Sequence, residues 1–357
     1  MAATTSTSGH PTGPAPTPGQ TRRGDRPPTR TPVRVAVLAG GGLLLLAVVV
    51  LSLVLGARPL PLAEIWPGLT DPDAEAYRVV RQMRVPRTAL GVLAGVALGL
   101  AGAMMQSLTR NPLADPGLLG INAGAAAAVV SAITFFGITS LLGYVWFAFA
   151  GAAAVAAAVW TIGGGRVANP ARLVLAGMAV NVALIAYVNA VQLLDTASLE
   201  RMRFWTVGSL AAPPPGTALR LAPFILVGVV LVALLAQPLN LLAMGDETAR
   251  ALGGRPGLTR AVTVVAVTLL CGAATAGCGP IAFVGLIVPH LVRRFTGPDL
   301  RWLLPTCALV APALLLGADV LGRVLGRPGE LQVGIVTAVL GGAFLVFVVR
   351  GGRRLWL

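Results

Sequence analysis

The chain has 357 residues, 56% of them apolar and only 11% charged, where soluble domains carry about a quarter charged and half or less apolar residues. Its net charge is +14 and every one of the 27 basic residues is arginine. No soluble domain carries a basic face and the arginines are scattered among loops, so no nucleic-acid partner is expected.

Residues 1–32 are rich in Thr, Pro, Gly and Ser and too polar to bury a core, which predicts a disordered cytoplasmic tail. From 33 to 357 the chain reads as one all-α, polytopic transmembrane domain. Apolar runs at 35–57, 88–108, 117–136, 141–162, 171–194, 217–236, 259–277, 279–293, 302–321 and 331–349 give about ten transmembrane helices. As helices they can cross a hydrocarbon core of about 30 Å with their backbone hydrogen bonds closed internally. The run at 279–293 is the weakest, because Gly279-Pro280 opens it and Pro289-His290 interrupts it. Charge favours counting it. With ten spans and both termini cytoplasmic, 17 of the 27 arginines face the cytoplasm and 10 lie outside, in the sense of the positive-inside rule. The expected location is the cytoplasmic (plasma) membrane, multi-pass.

In chain order, the second run reads TALGVLAGVALGLAGAMMQSL and sets Gly91, Gly95, Gly99 and Gly102 on one helix face. Two readings are open for that face: close packing of another helix, or the lining of a wide substrate path. NPLADPGLLGIN follows, where Pro112 and Pro116 forbid a continuous helix. Asn111-Pro112 here, and Asn169-Pro170 before the fifth run, either shape an inner gate or form rigid connectors. MGDETARALG, Met244 to Gly253, interrupts the apolar pattern with Asp246, Glu247, Thr248 and Arg250. Asp246 is a suitable N-cap and Gly253 a suitable stop for about two turns of helix, which needs a partner to be stable.

Few polar groups fall inside the runs. Asp319 and His290 alone qualify as intramembrane relays. Asp319 has Arg323 four residues on, the spacing of an intrahelical ion pair, and His290 reads as structural. No H-E-x-x-H or serine-histidine constellation is found, so no catalytic residue is assigned. A P-loop needs lysine and the chain has none. Cys271, Cys278 and Cys307 lack metal-site spacing and read as small core residues, so no metal site is expected. A secondary transporter or a membrane-embedded enzyme is disfavoured on these absences, and energy for active transport must come from another polypeptide.

Three stretches, RVPRTALGVLAGVALGLAGAMMQSLTRNPLADPGLLGINAG, LNLLAMGDETARALG and GPIAFVGLIVPHLVRRFTGPDLRWLLPTCALVAPALLLGADVLGR, resemble the FecCD family of ABC-importer permeases from about residue 35 to the end. The resemblance implies a ten-helix subunit of a type II importer. It implies pairing with a second permease subunit (homo- or heterodimer), two cytoplasmic ABC ATPases, and an extracytoplasmic substrate-binding protein. ATP and Mg would sit on the partner ATPase, with no cofactor on this chain. The expected cargo is an iron-siderophore, with heme or cobalamin as alternatives. Loop 238–258 would be the coupling loop, with Asp246, Glu247, Thr248, Arg250, Leu252 and Gly253 at the ATPase; contact with lipid headgroups is the alternative. Arg84, Arg87 and Arg323 match family positions that pair with glutamates of the binding protein. The alternative for them is local pairing with Asp71, Asp73, Glu75 and Asp319.

Overall fold

The computed structural model describes residues 31–350 except 57–59, 139, 166–169, 204 and 212. All but the last two residues of the expected tail, and Asn169, therefore lie outside the described residues. Helix α1, Thr31–Val54, begins inside the expected tail. A short α2, Leu62–Thr70, and α3, Tyr77–Val79, follow. The latter runs through a π-helical turn, Val80–Arg84, into α4, Val85–Thr109. After a 3-10 turn at Pro116–Leu119 come α5, Ile121–Phe136, α6, Leu141–Ile162, and α7, Pro170–Leu194. Then follow α8, Thr196–Met202, α9, Thr217–Ala243, and α10, Asp246–Ala251. The series ends with α11, Pro256–Cys278, α12, Val284–Thr296, α13, Leu300–Leu325, and α14, Val333–Arg350.

Eight of these helical segments are long and apolar enough to cross a membrane, and α5 is a shorter apolar helix. With α12, each of the ten apolar runs has its helix, although several boundaries differ from those the sequence suggests. The segment containing α4 starts at Tyr77 and is 33 residues long, about 50 Å at 1.5 Å per residue, so one end projects past the hydrocarbon. Helix α9 continues to Ala243 through Pro238.

The first third of the eighth run is not helical. Gly279 and Phe283 both have positive φ, 72° and 71°, and α12 proper is 13 residues, about 20 Å. Non-helical backbone at membrane depth is tolerated where protein covers it. Here the segment before α9 folds in: the Ser209 N–H donates to the Cys278 carbonyl at 2.7 Å, and the Gly334 N–H to the Gly208 carbonyl at 3.1 Å. A Cβ at Gly279 would strike the Trp205 carbonyl oxygen.

The core sits on three helices. Over an 18-residue apolar stretch of the segments containing α4, α11 and α13, 78%, 72% and 67% of residues are buried, against 11% for α1 and 22% for α7. Helix α4 packs on α13, α11, α9 and α12. Its glycine face explains how closely. A Cβ at Gly91 would collide with Leu316, at Gly95 with the backbone of Pro312, at Gly99 with Ala311 and at Gly102 with the Gly285 carbonyl. Without side chains these four let α13 and α12 approach to backbone contact, where dispersion replaces lipid.

Candidate functional site

Helix α10 is a six-residue shelf between α9 and α11. Its N-cap position is taken by Gly245 at φ 112°, and Asp246 is the first helical residue with no capping bond, so the expected cap moves back by one. The reason is visible in what Asp246 does instead. Both its carboxylate oxygens accept from Arg260 Nη2 of α11 at 2.7 Å, and Arg110, past the end of α4, lies 3.6 Å away. Arg110 Nη2 also donates to the Leu242 carbonyl at 2.6 Å. Ala249 is buried, and the Gly254 N–H closes onto its carbonyl at 2.7 Å while Gly253, at φ 80°, ends the helix. Glu247, Thr248, Arg250 and Leu252 are exposed, beside exposed Met244 and Leu258. The shelf thus has an anchored base and a free mixed face.

At the opposite ends of α1, α4 and α13 the arginines form a buried cluster. Arg87 is held between Asp319, at 2.8 Å, and Glu330, at 2.7 Å. Asp319 also binds Arg323 at 3.0 Å, the i, i+4 pair expected from the sequence. Arg323 donates to the Ser52 and Leu55 carbonyls at 3.0 and 2.8 Å and to Ser52 Oγ at 2.9 Å. Arg84 donates to the Leu53 and Val54 carbonyls, both at 2.7 Å. Arg84, Arg87 and Arg323 are 5%, 8% and 2% exposed. In the subunit alone their guanidinium groups are engaged in these local contacts. Asp71, Asp73 and Glu75 do not hold them; the partner missed in the sequence is Glu330, the only carboxylate between α13 and α14.

Arginines at 78, 81, 84 and 87 advance by three, and each α-helical step of three falls about 60° short of a turn. The row therefore winds round the helix, through the π turn. Arg78 and Arg81 stay exposed, and Arg84 and Arg87 turn inward.

Gly91, Gly95 and Gly99 are all buried against α13 inside the subunit, which is the close-packing reading of that face. Asn111 is exposed, its Oδ1 accepting from the Leu113 N–H at 3.0 Å, and Asp115 Oδ1 accepts from the Gly117 N–H at 2.8 Å. Pro170 opens α7. On the same side Asn240 donates to Asp299 at 2.8 Å. Burial alone would raise the Asp299 carboxyl, but the Arg301 N–H, Asn240 and the Arg301 guanidinium together hold it below the usual carboxylate range.

A stripe on α7 was not singled out in the sequence. Met178, Val182, Ile185, Asn189 and Leu193, spaced by three or four, are all exposed. An amide on an outward face of a membrane-length helix is costly against lipid. The sequence signal was the pair Asn181 and Asn189 in an otherwise apolar run.

The sequence pattern of the FecCD transport family matches residues 44–351. The chain is 45% identical over 324 residues, 89% of its length and 96% of the relative's, to the ferric enterobactin transport system permease protein FepD of Escherichia coli K12. It is 38% identical over 321 residues, 88% of its length and 96% of the relative's, to the hemin transport system permease protein HmuU of Yersinia pestis. Among solved structures, a metal-chelate type ABC transporter in an inward-facing conformation superposes with a TM-score of 0.78 at 29% identity, covering 89% of this chain and 99% of that one. With a fold, a shelf helix and a family pattern that agree over nearly its whole membrane domain, this chain belongs to the FecCD transport family.

Proposed function

We propose that this chain, a permease subunit of an ABC importer and not itself an enzyme, passes a ferric siderophore inward between two permease subunits. The observation that carries the reading is α10. It is fixed at its base through Asp246 to α11 and α4 and leaves Glu247, Thr248, Arg250 and Leu252 free, the form of a lever seated on a partner ATPase. ATP and Mg belong to that partner. Helix α10, both termini and the loop after α12 lie on the cytoplasmic side in this reading, in keeping with the arginine distribution.

The second subunit is a different chain of the same family. Escherichia coli K12 has both FepD and FepG named as ferric enterobactin permeases, and this chain is 45% identical to the first and 36% to the second. The α7 stripe with Asn189 faces that partner and lines the path. The turn at Asn111-Pro112, with its side-chain acceptor already engaged, acts as a rigid connector.

Contacts to an extracytoplasmic binding protein are assigned to exposed Arg78 and Arg81. Arg84, Arg87 and Arg323 lock α1, α4 and α13 beneath them. Cargo is tested by deleting the gene and comparing uptake of labelled iron as siderophore complex and as hemin. Loss of siderophore-iron uptake alone is expected; loss of hemin uptake alone sinks the cargo assignment.

A further inference from the structure

On the α10 side a cavity of about 410 Å³ opens between the ends of α4, α9 and α12. Arg110, His290, Arg293 and Arg294 line it, with Gln106 and Asn240. No carboxylate is among the lining residues, and among the described residues Arg293 and Arg294 enter no ion pair. The carboxylates on adjoining segments are engaged elsewhere, Asp246 by Arg260 and Asp299 by Asn240 and Arg301. Cations in the last turn of α12 complement its dipole, but that does not account for a cavity walled by guanidinium groups from α12 and from the residue that follows α4. Gln106 closes the inner wall. It is 1% exposed, its Nε2 donates to the Gly285 and Leu286 carbonyls at 3.4 and 3.1 Å, and its Oε1 has no partner.

The geometry points to a binding site for an anionic phospholipid headgroup, a phosphate diester bearing hydroxyl groups, as in phosphatidylglycerol. Guanidinium forks match phosphate oxygens, and Ser107 on the same wall, whose hydroxyl donates to the Ala103 carbonyl, can accept from a headgroup hydroxyl. The site lies at helix ends, where headgroups sit, and exposed Leu291 and Phe295 of α12 offer apolar surface to acyl chains. Arg110 reaches both the cavity and Asp246, so occupancy is felt at the base of α10.

The test uses the purified transporter complex in nanodiscs and mild detergent, with phosphatidylglycerol, phosphatidylcholine and inorganic phosphate as separate probes, and native mass spectrometry and thermal unfolding as readouts. The wild type should retain phosphatidylglycerol in preference to phosphatidylcholine. The double variant Arg293→Gln, Arg294→Gln should weaken that retention about tenfold or more. Ala243→Glu places a carboxylate on an exposed rim position without removing a native contact, and should do the same if the arginine variant fails to fold. Equal retention by wild type and Ala243→Glu overturns the proposal. So does a thermal shift produced as strongly by inorganic phosphate alone, which assigns the site to a soluble anion. Expulsion of the lipid when the ATPase is added assigns the cavity to the ATPase and overturns it too.

Discussion

Asp319 is fully buried and shared by Arg87 and Arg323, from two helices and with Glu330 completing the charge balance from a loop. Removing one member of a buried pair leaves an uncompensated charge, at a cost of about 3–5 kcal/mol. Asp319→Ala should therefore lower the thermal unfolding midpoint of the detergent-solubilised protein by many degrees, whereas Arg81→Glu, at an exposed position, should shift stability by no more than about 0.5 kcal/mol and impair association with the binding protein. Wild-type thermal stability in the Asp319 variant would show that the cluster is not a clamp. One half of this cluster was legible in the sequence: Asp319 and Arg323 are four residues apart. Arg87 and Asp319 are 232 residues apart, and no local pattern announces a pair made by tertiary packing. Reading Arg84 and Arg87 as external followed from chain order, which tells the side of the membrane but not the side of the helix.

At the scale of the element, α10 was the most readable piece, because a polar interruption and a glycine stop stand out against apolar surroundings. Its cap was misplaced since Asp246 has a better acceptor's role with Arg260 than with the helix N–H groups. That difference separates two kinds of variant. Glu247→Arg with Arg250→Glu alters only the exposed face and should cut ATP-driven uptake at least several-fold while leaving unfolding temperature and ATPase-independent insertion unchanged. Asp246→Asn loosens the base and should lower both stability and uptake. If the Glu247 and Arg250 double reversal transports normally in proteoliposomes, the ATPase contact lies elsewhere. The α4 glycines were ambiguous for a different reason. A small-residue face tells that something comes close, and only the partner's position, Pro312 and Ala311 of α13, tells that it is protein and not cargo.

For the whole molecule, the count of apolar runs carried the fold, since a run of about twenty apolar residues has almost no alternative to a spanning helix. The eighth run shows the limit: hydropathy does not see the positive φ at Gly279 and Phe283 that unwinds its first third. Whether α12 and the stretch before it together cross the membrane is decided by reporters fused after Arg301 and near Gly326. The first should read cytoplasmic and the second external; the reverse would invert the sidedness of α13 and α14.

The double anchoring of α10 has a mechanical consequence. Its base is tied to α11 and to the end of α4, two of the three most buried helices, which pack on each other along their length. Close-packed interiors have low compressibility and transmit strain. A displacement of about a few ångströms imposed on this shelf is therefore not absorbed nearby; it rotates the hub as one piece. The compliance needed for a cycle of opening and closing must reside at the thinly packed periphery, where α7 has most of its surface free, so that a stroke applied at one side of the membrane becomes a change of gap between two rigid bodies.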